Sequence, residues 1–275
     1  MATDKPTILL IPGAWHQGST FEPVAKILRA QGYQVETVTL PSAGGPKSTT
    51  AYDDAEHIQK AYLNDLIAQG KEVILVMHSY GGIPGTESVK GFARKDIATK
   101  GRKGGVVSLI YQSAFLVPAG ASIASFMPGG LDYFMTMDVS EMTDLISFPA
   151  QLGESRNIDP SSQGDKMYPK SPRERFYNDL DDESASKYLA AIVHHAPETM
   201  RTPLTYEAYR DVPTNYIFCT RDAGFPLVAQ QKIATIPGEG VVRTYSIDAG
   251  HFAMLSQPQA VADVIDDVAT RVATI

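Results

Sequence analysis

Cysteine is nearly missing from this chain: Cys219 is the only one in 275 residues. No disulfide can form within the chain, and one thiolate cannot build a zinc or iron–sulfur site, so a reducing interior is permitted and a cytoplasmic location is expected. Long apolar runs are missing too. The opening "MATDKPTILLIPG" carries only a short apolar stretch, Ile8 to Ile11, too brief for a signal core or a membrane span. There is no block of Lys or Arg, and the net charge is −7, so neither a nucleic-acid footprint nor a patch for anionic membranes is expected. Mixed-sign runs such as "SPRERFYNDLDDE" read as a solvated helical face. The G-x-G-x-x-G and Walker lysine patterns are lacking, which argues against a nucleotide site, and no internal repeat or low-complexity tract occurs.

What is present is an alternation. Short runs rich in Ile and Val alternate with amphipathic stretches of helical length, the pattern of βαβ units and a parallel sheet. Strands are expected at Thr7–Ile11, Gln34–Val38, Glu72–Met77, Val106–Tyr111, Asn215–Cys219 and Val241–Ser246, six in all. Helices are expected at Thr20–Ala30, Ala51–Ala68, Gly81–Phe92, Leu227–Ile236 and Pro258–Val272. The alternation breaks once, from Pro118 to about Asp211, a stretch far longer than an ordinary connection. It is read as a helical cap (118–211) inserted after the fourth strand into a core made of 1–117 and 212–275.

One stretch concentrates the chemistry. "VILVMHSYGGIPG" runs a buried strand into a glycine-rich turn with Ser79 at its apex. In a nucleophile elbow, G-x-S-x-G, the residues two before and two after the serine are small because the turning chain packs closely there. Gly81 meets that demand and Met77 does not, so the competing reading is a chance "HSYGG" at a strand end. A serine hydroxyl needs a base and an acid elsewhere, in the order Ser, Asp or Glu, His. His251, in "YSIDAGHFAMLSQP", follows the last strand, and Asp222, in "NYIFCTRDAGFP", follows the strand before it, so both fall at the same sheet edge. Asp248 is the rival acid, and a helix N-cap ahead of Phe225 and Pro226 is the rival role for Asp222. His57, His194 and His195 have no strand-end position and read as structural or solvated. Charge developing on a substrate oxygen needs donors, and the backbone N–H of Tyr80 and of Ala14, beside the close-passing Gly13, are placed to give them.

These residues resemble the α/β-hydrolase superfamily and, within it, the plant methylesterases and hydroxynitrile lyases. "LLIPGAWHQGSTFEPVAKILRAQGYQV" is similar to that group's opening strand, oxyanion loop and first helix, with Pro12 where histidine is frequent. "VILVMHSYGG" is similar to its nucleophile turn, "YQSAFLVP" to the strand leading into its cap, and "YIFCTRDAGFP" and "DAGHFAMLSQPQ" to its acid and histidine segments. The resemblance implies Ser79, Asp222 and His251 as triad with the Ala14 and Tyr80 amides as oxyanion hole. The lyases of the group carry a lysine after the histidine and a threonine in the first loop. Here Phe252 and Gly13 stand there, which favours hydrolysis.

The expected activity is cleavage of a small-molecule carboxylic ester (a methyl ester, aryl ester or lactone of a small apolar or aromatic acid) without cofactor or metal. A lyase using the same triad and a ligand receptor on the same fold are the alternatives, and a homodimer is left open. Gly13, Trp15, Phe126 and Tyr133 are the expected substrate contacts, with Met127, Phe134 and Met135 as further candidates for an apolar wall.

Overall fold

A computed structural model describes residues 5–126 and 166–272. Six strands form one sheet in the order β2-β1-β3-β4-β5-β6, with every pair parallel: β1 Thr7–Ile11, β2 Val35–Thr37, β3 Glu72–His78, β4 Gly105–Gln112, β5 Thr214–Cys219 and β6 Arg243–Ile247. β1, β4 and β5 are buried along their whole length and β3 along all but its first residue, Glu72, as strands require when both faces of a sheet are covered. β6 is an edge strand, and its solvent-facing positions are accordingly polar.

The helices that position the site are α1 Glu22–Ala30, α2 Ala51–Ile58, α3 Gly82–Ser88, α4 Arg94–Thr99, α5 Asp182–Ala190, α6 Leu227–Ala234 and α7 Pro258–Val272. Val24, Ala25 and Leu28 of α1 and Val261, Ile265, Val268 and Val272 of α7 share the three-to-four spacing that makes a buried stripe, and the two helices pack together. α2 opens with a capping box in which Thr50 and Asp53 satisfy each other's free donors, and it packs on α3. The helix expected over Ala51–Ala68 is continuous through a single π turn, Gln59–Leu63. α3 stops at Ser88 rather than Phe92, and α4 is an addition to the sequence reading.

Between Pro118 and Asp211 the described pieces are short: a turn of helix at Ile123–Phe126, another at Pro172–Arg175, α5, and 3₁₀ turns at Pro197–Arg201 and Ala208–Arg210. They are fastened to the loops that follow β1 and β2. Val193 N–H donates to Trp15 O, Gly44 N–H to His194 O, and Ala196 N–H to Ser42 O. The run "SPRERFYNDLDDE" is not simply a solvated face. Phe176 and Tyr177 in its middle are buried, while Arg173 reaches back to the carbonyls of Tyr177 and Leu180. Burial there is decided by what the segment lies on, which its charge pattern does not report. Among the described residues no helix is long and apolar enough to cross a membrane, and no group of three His, Cys, Asp or Glu is placed to hold a metal ion.

Candidate active site

β3 delivers Ser79 directly into a 3₁₀ turn, Ser79–Gly81, that leads into α3. The serine stands at φ +51°, a left-handed backbone that costs a non-glycine residue energy and persists only where the surroundings over-determine it. Those surroundings are tight. A Cβ on Gly81 would lie 2.6 Å from Pro12 O, one on Gly82 would collide with Phe115 O, and one on Gly13 would come within 2.9 Å of Ser79 Cβ. Phe115 N–H donates to Ser79 O at 3.0 Å, tying the turn to the chain leaving β4.

The methionine in place of the elbow's first glycine has a structural answer. Met77 is fully buried in β3, in register between Ile11 of β1 and Tyr111 of β4. Its Sδ and Cγ occupy the space beside Gly85, where an added Cβ would fall 2.5 and 2.7 Å from them. The small residue that the strand lacks is supplied one helical turn into α3.

His251 and Asp222 meet at the sheet edge. His251 Nδ1 lies 2.6 Å from Asp222 Oδ2, with both side chains almost wholly excluded from solvent. The other oxygen of Asp222, Oδ1, accepts from Gly224 N–H at 2.8 Å and Phe225 N–H at 2.6 Å. Thus the carboxylate holds its own loop in an Asx-type turn and, with its second oxygen, holds the imidazole. Ser113 Oγ–H also donates to Asp222 Oδ2 and stands 3.4 Å from His251 Nδ1. Asp248 lies elsewhere: its side chain is 80% exposed and pairs with Arg221 Nε at 2.9 Å.

The ring of His251 is enclosed by aromatic rings. Phe176 stacks on it with centroids 5.4 Å apart, and His78 lies at 4.6 Å, its Nε2–H donating to His251 O. Burial drives His78 well below the ordinary histidine range, so it is a neutral packing group. His16 is likewise pushed down to about 4 by burial. Since Ala14 O accepts from its Nδ1–H at 2.7 Å, Nε2 carries the lone pair and accepts from Tyr177 O–H at 2.5 Å. That chain of bonds joins the loop after β1 to the inserted segment.

Ser79 and His251 share a small cavity of about 20 Å3, room for about one water, with Ala14, Trp15, Tyr80, Phe115, Phe176, Met200 and Gly224. Ala14 and Tyr80, expected to donate from the backbone, therefore lie beside the serine. Trp15 lines the cavity, held at φ +67° with its Nε1–H on Met167 O and its ring 5.7 Å from Phe176. Tyr80 turns its phenol away to Asp54 Oδ2, at 2.6 Å. Gly13 backs Ser79 and does not line the cavity, while Phe126 packs against the core at the end of its short helix. Tyr133, with Met127, Phe134 and Met135, lies outside the described residues.

Sequence reasoning passed over Phe115, Phe176, Met200 and Ser113. Phe176 was hidden among charges, and Ser113 gives no signal in "YQSAF" until its neighbours are known. His195, read as structural or solvated, is fully buried, accepts weakly from Trp15 N–H at 3.5 Å and sets its ring 4.7 Å from that of Tyr80.

Residues 8–264 match the family described as "Alpha/beta hydrolase family". An alpha/beta hydrolase of Aspergillus novofumigatus is 30% identical over 266 residues, spanning 96% of this chain and 97% of that protein. Methylesterase 7 of Arabidopsis thaliana is 23% identical over 279 residues, 98% of each chain. Among solved structures, an extracellular α/β-hydrolase from a Paenibacillus species superposes with a TM-score of 0.69 at 18% identity, over 95% of this chain and 98% of that one.

Proposed function

The chain belongs to the alpha/beta hydrolase family, with a methylesterase among its relatives, and on that premise we propose that it cleaves a carboxylic ester through an acyl-enzyme on Ser79. The observation that carries the reading is the buried 2.6 Å bond between His251 and Asp222, beside a serine held at φ +51° in the same cavity. Ser79 Oγ attacks the carbonyl carbon while His251 Nε2 takes its proton and then gives it to the leaving alcohol. Asp222 fixes the tautomer that leaves Nε2 free and stabilises the imidazolium. The Ala14 and Tyr80 N–H groups receive the charge that develops on the carbonyl oxygen. Water then repeats the cycle on the acyl-enzyme and releases the acid.

The cavity wall of Trp15, Phe115, Phe176 and Met200 carries no charged side chain, which favours an apolar or aromatic acyl group and a methyl ester, aryl ester or lactone as substrate. In this reading 118–211 acts as the cap, contributing Phe176 and Met200 to the wall and, through His16 and Tyr177, bracing the oxyanion loop. A cytoplasmic location belongs to the same proposal.

The test is a panel of methyl, aryl and lactone esters with wild type and Ser79→Ala. Turnover should fall by roughly a millionfold in the variant, and turnover surviving within tenfold of wild type would remove Ser79 from the mechanism. Mandelonitrile, a cyanohydrin, is expected to give only background benzaldehyde, because release of cyanide leaves an anion and the residue after His251 is Phe252 rather than a cation. Release that depended on Ser79 and His251 would move the assignment to a lyase.

A further inference from the structure

Ser113 stands where β4 ends, fully buried and at φ +42°, one of four described non-glycine residues with positive φ. Two of the others, Ser79 and Trp15, are at the candidate site already. Its backbone is pinned from both sides. Ser113 N–H donates to Ile217 O of β5, the next residue, Ala114, exchanges hydrogen bonds with the Tyr216 hydroxyl, and Phe115 N–H holds Ser79 O. The left-handed turn is thus fixed between the strand carrying the nucleophile and the strand carrying the acid, with the Ser113 hydroxyl against Asp222.

The carboxylate's partners are unevenly shared. Oδ1 has two backbone donors at 2.8 and 2.6 Å, whereas Oδ2 has the imidazole, the Ser113 hydroxyl and only a long contact of 3.5 Å from Gln230. Without Ser113, Oδ2 would keep only the imidazole and the long Gln230 contact, and its charge would bear more heavily on His251 Nδ1–H. A donor on Oδ2 also withdraws charge from the oxygen that faces Nδ1–H, which makes Asp222 a weaker acceptor toward His251 than it would otherwise be.

Resting on the reading of Ser79, Asp222 and His251 as the triad, we infer that Ser113 is a positioning residue: its hydroxyl locks Asp222 Oδ2 under His251 and moderates that oxygen's hold on the imidazole. The other titratable groups around this pair are His78 from the end of β3 and His16 from the loop after β1, both kept neutral by burial. Asp179, whose carboxylate accepts Gly250 N–H, Cys219, whose thiol burial pushes well up, and Tyr216, whose phenol burial likewise raises while its O–H donates to Ala114 O, also face it. None of these donates to Oδ2.

Two variants separate hydroxyl from backbone. Ser113→Gly removes the hydroxyl and relieves the left-handed strain, so it should fold at least as well as wild type. Ser113→Ala removes the hydroxyl and keeps the strain. Both should lower kcat by about tenfold with KM within about twofold, as expected for an interaction that matters only while the proton moves. A second readout needs no turnover: the low-field proton signal of His251 Nδ1–H, identified by its loss in Asp222→Asn, should move further downfield in both variants as the bond to Oδ2 strengthens. Ser113→Gly with wild-type kcat and an unmoved proton signal would overturn the inference and leave Ser113 a turn residue only. Should Ser79→Ala retain turnover, the proton signal still judges Ser113 by itself, so failure of the triad reading and failure of this inference remain distinct.

Discussion

Asp222 divides its two oxygens between structure and chemistry, and that division decides what a conservative change does. Oδ1 faces two backbone N–H donors, so in Asp222→Asn the amide oxygen must take that side. The NH2 group then faces His251 Nδ1 and forces it to become an acceptor, with the proton on Nε2. In the proposed mechanism Nε2 is the nitrogen that must be free to take the serine proton. We expect a loss of about 10⁴ in kcat with little loss of stability, the size seen for the wrong tautomer in the chymotrypsin-type triad. Asp248→Asn touches exposed contacts with Arg221 and the Thr220 hydroxyl and should leave kcat near wild type. Measuring both by initial rates on one aryl ester is sufficient; reversed losses would assign the acid to Asp248. Both acids were visible in the sequence, where strand-end placement and the resemblance favoured Asp222, and the structure adds that Asp222 bonds to His251 while Asp248 faces Arg221. Ser113 could not be singled out that way, because its role depends on a left-handed turn and on a partner 109 residues away.

At the scale of elements, the interlock of β3 and α3 explains how a motif survives the loss of a glycine. Met77 fills the space that Gly85 vacates, so the two positions are coupled through one volume. Met77→Ala should cost about 2–5 kcal/mol by leaving a cavity. Gly85→Ala should cost about 1–3 kcal/mol or more by driving a methyl into the thioether. The double variant places the methyl where the thioether was, so its cost should fall short of the sum by at least about 0.5 kcal/mol. Denaturant unfolding of the four proteins tests this, and strict additivity would show that Met77 and Gly85 do not share that space. The same region marks the limit of what periodicity reports. Strands and the long helix α7 were legible because each carries several repeats of its pattern, and α7 runs over Pro258–Val272 as its spacing implies. α4, of six residues, is too short to show a full amphipathic repeat. α3 stops at Ser88 because the chain must turn back toward β4, with Gly91 at φ +80°, a requirement set by topology.

For the molecule as a whole, the buried histidines set the acid limit of stability. His16 and His195 are pushed down by burial to about 4 and about 3, and His78 is lowered by the same cause. Each binds its proton less readily in the folded chain than in the unfolded one, where the ordinary value is near 6.5. Each therefore contributes stability that is complete above pH 6.5 and is lost as pH falls toward its folded value, by up to about 1.4 kcal/mol per pH unit for each proton. Asp54 works in the opposite sense. Buried beneath Tyr80 and Ser42, it is raised to about 6, so the folded chain takes up its proton first and gains relative stability between pH 6 and its unfolded value. Three histidines against one carboxylate leave a net loss on acidification. Unfolding free energy from urea titrations should fall steadily from pH 6.5 to 5, less steeply in His195→Gln and more steeply in Asp54→Asn, which deletes the opposing term. The loss also has a direction in space. Protonated His16 can no longer accept from Tyr177 O–H, so the inserted segment should loosen from the loop after β1 before the sheet opens. Proteolysis at about pH 4, where His16 takes up its proton, should accordingly cut within 166–211 ahead of the core. Stability that is flat or rising across this pH range would show that the histidines are not the groups that govern it.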